Sequence, residues 1–176
     1  MLRIAIIYGI ISGGIVIGIT VIGLSLLGGD GLAAFPTWLG YLVMLLALTL
    51  IFVGVKRYRD QEQGGVITFG KATLVGLAIA TVAGLVYVLV WEAYLAATDY
   101  AFMDQYASAA IERRQAEGAS DAELEALAGE MDAMRTAYAN PLFRLPITFL
   151  EIFPVGVLIA LLSALLLRRS SFLPAA

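Results

Sequence analysis

The chain has 176 residues, of which 61% are hydrophobic, and a mean hydropathy of +0.91. It contains no Cys and no His, which excludes disulfides, imidazole and thiolate metal sites, cysteine nucleophiles and Ser-His-Asp triads. Its formal charge of −3 comes from 11 basic and 14 acidic side chains, and these lie mostly between long apolar stretches. We therefore predict a membrane domain that is not an enzyme, has no cofactor or metal, and does not bind nucleic acid.

Four apolar stretches reach the roughly 20 residues that a helix needs to cross a hydrocarbon core of about 30 Å. They cover residues 4–27, 37–55, 72–91 and 147–167. The first is longer than the apolar core of a secretory signal, which spans about 7–15 residues, so we expect an uncleaved anchor. The predicted fold class is all-α: a single domain built as an integral membrane four-helix bundle.

Small residues recur four apart in three of these stretches, a spacing typical of close helix packing in lipid. They are Gly9, Gly13, Gly14 and Gly18 in the first, Gly76, Ala80 and Gly84 in the third, and Gly156, Ala160 and Ala164 in the fourth. Packing within the chain explains them most simply. Homodimerisation through the first stretch is the alternative.

The basic side chains predict the orientation of the chain. Lys56, Arg57, Arg59 and Lys71 lie in the loop between the second and third stretches, and Arg168 and Arg169 follow the fourth. Short basic loops stay in the cytoplasm. We expect a multi-pass protein of a bacterial inner membrane with both termini cytoplasmic. The four basic residues of the middle loop determine this topology and also contact lipid headgroups.

The segment between the third and fourth stretches is predicted to be an extracytoplasmic helical hairpin over residues 99–139. A break at Thr98-Asp99 is favoured over one continuous helix, because short oxygen-bearing side chains cap helices. Gly118 ends the first hairpin helix, and Ser120 with Glu123 forms a capping box for the second, which ends at Asn140-Pro141.

The second hairpin helix carries an apolar seam at alternating three- and four-residue steps. The seam consists of Leu124, Leu127, Met131, Met134 and Tyr138. One interpretation is that it packs on the first hairpin helix and on the bundle. The other is that it docks an envelope or membrane protein, since Met adapts to varied surfaces.

Glu92, Arg144 and Glu151 form a candidate polar cluster near the outer face. The fourth helix is expected to begin near Pro146, which places Glu151 inside the membrane, where a carboxylate needs a partner, a proton or water. In the structural interpretation Glu151 pairs with Arg144, while Glu92 remains hydrated. A protonatable or cation-binding site is the alternative, and paired acid/base catalysis is a third.

Two segments resemble an uncharacterised bacterial membrane family, which is catalogued as domain of unknown function 4199. The first is Phe-Val-Gly-Val-Lys-Arg-Tyr-Arg-Asp at residues 52–60 with residues 64–72, and the second covers residues 140–146 with 149–154. The resemblance implies a small four-span inner-membrane protein and supplies no activity or site residues.

We expect a non-enzymatic scaffold, adaptor or regulatory subunit that contacts the lipid bilayer and meets a partner through the hairpin. A homo-oligomer is a further possibility. The alternative function is an oligomeric proton- or cation-coupled transporter or channel that uses Glu151 and Glu92.

Overall fold

The computed structural model of the chain describes residues 1–34 and 37–174, with the side chains of residues 27–34 and 37 outside the description. Within these ranges the chain forms six helices and no strand. They are α1 (Leu2–Ala34), α2 (Thr37–Glu62), α3 (Phe69–Ala97), α4 (Phe102–Ala116), α5 (Asp121–Ala139) and α6 (Pro141–Leu167). Helices α1, α2, α3 and α6 are each long and apolar enough to cross a membrane. The all-α fold class and the four predicted spans are thereby confirmed.

Helix α3 is the centre of the bundle, since it packs against α1, α2 and α6. Small residues allow its close approach to α6, with which it runs antiparallel. A Cβ atom added at Gly76 would lie 2.7 Å from Ala160 Cβ, and one added at Gly156 would lie 2.9 Å from Ala80 Cβ. Two helices therefore meet backbone to backbone at these positions, which is how helices associate in lipid.

Helix α1 packs on α3 through only part of its glycine series. A Cβ atom at Gly9 would clash with Val82, and one at Gly13 would clash with the backbone of Ala83. Added Cβ atoms at Gly14 and Gly18 would meet nothing within 4 Å. Packing within the chain thus accounts for Gly9 and Gly13. If α1 forms a dimer, Gly14 and Gly18 are the glycines of this series that are free to lie at the interface.

The hairpin consists of α4 and α5, which lie between α3 and α6 in the sequence. The two helices pack against each other. The predicted break before it is confirmed, because α3 ends at Ala97 and both Asp99 and Tyr100 adopt positive φ angles, of 51° and 57°. The predicted role of Thr98 was wrong in detail. Its hydroxyl donates back to the Tyr94 carbonyl at 2.9 Å, and α4 begins without a side-chain cap.

The remaining boundaries of the hairpin follow the predicted turn chemistry. Gly118 adopts a φ of +84°, which favours glycine, and Ser120 and Glu123 form the capping box. Asn140 ends α5 and also caps α6, because its side chain accepts from the Leu142 N–H at 3.0 Å.

Several helix ends differ from the sequence prediction; α2, for example, continues to Glu62 rather than ending at residue 55. Helix α6 begins at Pro141 rather than near Pro146, which lies inside the helix. Pro141 occupies the first helical position, where a missing N–H costs nothing, and it therefore fits the role that was assigned to Pro146. Helix α1 continues to Ala34, beyond the predicted end at residue 27, because hydropathy marks the apolar stretch and not the end of the helix.

Candidate functional site

Arg144 and Glu92 form an ion pair between α6 and α3 at the hairpin end of the bundle. The Arg144 Nε atom donates to Glu92 Oε1 at 2.7 Å and its Nη2 atom donates to Glu92 Oε2 at 2.8 Å. Arg144 is 4% exposed and Glu92 is 23% exposed. This bidentate geometry gives both strength and a fixed orientation. Arg144 thus pairs with Glu92, and not with Glu151 as the structural interpretation of the sequence had it.

The same guanidinium attaches the hairpin to the bundle. Its Nη1 atom donates to the Tyr138 carbonyl at 2.9 Å, close to the end of α5. The ring of Tyr100 lies 5.1 Å from the guanidinium carbon and the ring of Tyr138 lies 5.8 Å from it, both within cation–π range. One side chain therefore holds together α3, the turn before α4, the end of α5 and α6.

Glu151 lies apart from this ion pair, seven residues further along α6, which is about 10 Å along the helix axis. Its carboxylate accepts a hydrogen bond from the Tyr87 hydroxyl at 3.1 Å. In the part of the chain that the structure describes, no Lys or Arg side chain forms a salt bridge with Glu151. Glu151 is an exposed residue when the chain is considered alone, and it lines a cavity.

This cavity, which we call the hairpin cavity, lies between the bundle and the hairpin and has a volume of about 550 Å³. Helices α1 and α2 line it with Ile19, Leu24 and Val43, and the hairpin lines it with Phe102, Met103 and Met134. Thr20, Tyr87, Trp91, Tyr106 and Tyr138 bring hydroxyl or indole groups to its lining. Among the residues whose side chains are described, Glu151 is the acidic one in the wall. The size and the mainly apolar lining are those of small-molecule sites, which span about 300–1,000 Å³.

Trp91 and Tyr138 connect the cavity wall of the bundle to that of the hairpin. The Trp91 indole Nε1 atom donates to the Tyr138 hydroxyl at 2.7 Å, and the Trp91 ring makes an edge contact with Phe102 at 4.8 Å between centroids. Burial raises the pKa of Tyr138 above its ordinary value of 10. The phenol therefore stays protonated at physiological pH and keeps a hydrogen to donate.

The residues of the predicted apolar seam of α5 lie in two environments, the contact with α4 and the hairpin cavity. Leu127 borders a depression shared with Ala110 of α4, and Met131 borders a second one with Ile111 of α4. Met134 and Tyr138 line the hairpin cavity, and Leu124 is half-buried. Most of the seam thus faces the protein itself.

The four basic residues of the α2–α3 region differ in how far they are exposed. Arg57 and Lys71 are exposed, and Lys56 is half-buried in an ion pair with Asp60 at 2.5 Å. Arg59 is completely buried: its guanidinium donates to the carbonyl of Phe172 at 2.9 Å and to that of Leu173. Arg59 is therefore not placed to contact lipid headgroups, unlike its predicted role, because the segment after α6 folds over it.

Tyr87 was not among the predicted site residues, although its sequence position carries a signal. Tyr87 is a polar residue within an apolar stretch, five positions before Glu92 on the same helix. Among residues 1–34 and 37–174, no group of three or more acidic side chains is arranged to hold a metal ion. The site therefore consists of one carboxylate, several hydroxyl groups and an aromatic, apolar wall.

Comparison with known proteins gave one finding. The family model described as "Protein of unknown function (DUF4199)" matches residues 7–169. Neither a curated protein nor a solved structure matches the chain.

Proposed function

The chain belongs to the DUF4199 family of proteins of unknown function, and we propose that it is a non-enzymatic regulatory subunit that binds an amphipathic molecule in the hairpin cavity. The observation that carries this proposal is the cavity itself, with its volume of about 550 Å³ and its mainly apolar wall. Pockets of this kind bind small molecules and bury most of their surface.

The cavity is lined by both the bundle and the hairpin, so a bound molecule can affect the position of the hairpin. Its wall contains side chains of the bundle, such as Tyr87, and side chains of the hairpin, such as Met134. A molecule in the cavity contacts both parts and so favours the arrangement of the hairpin that it fits best. The outer surface of α5 carries exposed charges that suit a polar partner surface. The hairpin is thus the part through which a scaffold, adaptor or regulatory subunit would meet an envelope protein.

We place the protein in a bacterial inner membrane as a multi-pass protein. Both termini and the α2–α3 loop face the cytoplasm, and the hairpin and its cavity face outward. The support for this orientation is the position of Lys56, Arg57 and Lys71 at the end opposite the hairpin, following the excess of basic residues in cytoplasmic loops.

Native mass spectrometry of the purified chain tests the proposed binding. We expect an amphipathic molecule to remain bound one-to-one after detergent exchange. Gly40 lines the cavity, and a Cβ atom added there would meet nothing within 4 Å. The Gly40→Leu variant should therefore fold normally, fill part of the cavity and lose the bound molecule.

Gly14→Leu is the matched control, because Gly14 also has open space around its Cβ position but does not line the cavity. This variant should keep the bound molecule. Equal retention by both variants, or no bound molecule on the natural chain, would contradict the proposal.

A second candidate function is an oligomeric proton- or cation-coupled transporter, and the observation that favours it is the Glu151 carboxylate in a cavity within the predicted membrane region. The pairing of Glu92 with Arg144 speaks against Glu92 as a second ion site. In proteoliposomes this function predicts a pH-dependent flux that Glu151→Gln removes. Absence of flux with the natural chain would exclude it.

A further inference from the structure

The described wall of the hairpin cavity contains an acidic side chain but no basic one. Glu151 contributes a carboxylate to the wall, and no Lys or Arg side chain is among the described residues that line the cavity. The Tyr87 hydroxyl supplies one hydrogen bond to that carboxylate, which leaves further acceptor positions on its two oxygens. The wall is therefore complementary to one positive group attached to an apolar body.

The nearest guanidinium cannot complete a site for a zwitterion. Arg144 is 4% exposed, and its donors are directed to the Glu92 carboxylate and to the Tyr138 carbonyl. A phosphate that entered beside an amine would thus face the Glu151 carboxylate without a cationic partner. Leaving such a charge unpaired at this depth is costly, which disfavours phospholipid headgroups.

Aromatic residues of α3 and the hairpin line the cavity together with Glu151. Tyr87 contacts Glu151 directly, and Trp91 and Tyr138 line the same cavity. An amine at Glu151 would therefore pair with the carboxylate within a largely aromatic and apolar wall.

From this arrangement we infer that the hairpin cavity binds a cationic amphiphile, an amine carried on a hydrocarbon chain, with the nitrogen at Glu151 and the chain against Ile19, Val43 and Met134. This inference rests on the proposed function and adds the chemical class of the bound molecule. The amine donates to the carboxylate, and the hydrocarbon chain fills the apolar part of the wall.

Quenching of tryptophan fluorescence tests the inference on the full chain in phosphatidylcholine nanodiscs. The chain has two tryptophans, and Trp38 is 65% exposed on α2, so a Trp38→Phe background leaves Trp91 in the cavity wall as the reporter. The probes are hexadecylamine, hexadecanol and phosphatidylethanolamine, each with the same nitroxide on the hydrocarbon chain. We expect half-maximal quenching by the amine at an about tenfold lower mole fraction than by the other two, which corresponds to about 1.4 kcal/mol.

Glu151→Gln should bring the amine to the level of the alcohol. Glu112→Gln is the matched control, because Glu112 is an exposed carboxylate of α4 outside the cavity, and it should keep the preference for the amine.

The outcomes separate this inference from the function on which it rests. Equal quenching by amine and alcohol, above the level of bulk lipid, would overturn the cationic ligand and leave the binding function standing. Quenching by phosphatidylethanolamine at the level of the amine would assign the site to a lipid headgroup and overturn the inference. Absence of quenching above the bulk level with every probe would overturn both.

Discussion

Arg144 shows why an arginine, rather than a lysine, occupies this position. Its planar guanidinium has donors in fixed directions, two of which meet Glu92 while a third meets the Tyr138 carbonyl. Its flat face also lies near the rings of Tyr100 and Tyr138. An ammonium group is a point charge and cannot satisfy these contacts together.

We expect Arg144→Ala to lower the free energy of unfolding by about 3 kcal/mol, the lower end for a broken buried ion pair, because Glu92 keeps some exposure. Reversible unfolding of the purified chain in mixed micelles measures this loss. Arg113→Ala serves as the control, since its pair with Glu117 is exposed to solvent and should contribute little to stability. Similar losses in both variants would show that Arg144 does not connect the hairpin to the bundle.

The partners of these charged residues could not be predicted from the sequence because they depend on the register between two antiparallel helices. The register that places Gly76 against Ala160 also places Glu92 against Arg144 and Tyr87 against Glu151. Hydropathy shows that α3 and α6 are apolar enough to cross a membrane, but it does not show how far one helix is shifted along the other. The residues of the cluster were thus identifiable, whereas their pairing was not.

At the scale of the helices, the glycines of α1 differ according to the face on which they lie. Gly13 is in contact with the α3 backbone at Ala83, and its neighbour Gly14 faces open space. The spacing rule identified both residues without distinguishing them, since small residues four apart can serve either of two adjacent faces.

This difference gives a prediction for two neighbouring substitutions. Gly13→Ala should destabilise the chain by about 1–3 kcal/mol, the range for overpacking, because its Cβ atom would meet the Ala83 backbone. Gly14→Ala should be neutral or stabilise by up to about 1 kcal/mol, since Ala is the better helix former. Thermal unfolding in detergent compares them, and a loss confined to Gly14→Ala would assign that residue to a contact outside the chain.

The hairpin boundaries were predictable because they depend on local chemistry. Ser120 and Glu123 satisfy each other's backbone N–H groups within four residues, and Gly118 supplies a conformation that other residues adopt rarely. The start of α6 was less predictable, because Pro141 and Pro146 are both compatible with a first helical turn. Asn140 decides between them by capping the helix before Pro141.

At the scale of the whole molecule, the number of spans follows from the hydropathy of the chain, because the membrane requires long apolar helices. The position of the hairpin cavity does not follow from hydropathy, since the cavity arises where all six helices converge in the described part of the chain. Residues that line it, such as Ile19 and Val43, have no distinguishing feature in the sequence.

The orientation in the membrane can be measured with single cysteines, since the natural chain has none. Glu125 is exposed on α5, and Val66 is 60% exposed between α2 and α3. We expect a membrane-impermeant maleimide to label the Glu125→Cys variant in cells whose outer membrane is permeabilised. The Val66→Cys variant should react only after the inner membrane is opened. The reverse pattern would place the hairpin in the cytoplasm.

The burial of Arg59 has a consequence for the order of assembly. The carbonyls that receive its guanidinium belong to Phe172 and Leu173, more than 100 residues later in the chain. In the proposed orientation, Arg59 is synthesised long before these acceptors, so its charge, beside that of Asp60, can hold α2 at the cytoplasmic surface while α3 and α6 are still to be inserted. The complete burial of the guanidinium requires the segment that follows α6. We therefore expect this side chain to act first on insertion and afterwards as a residue whose burial marks a completed bundle.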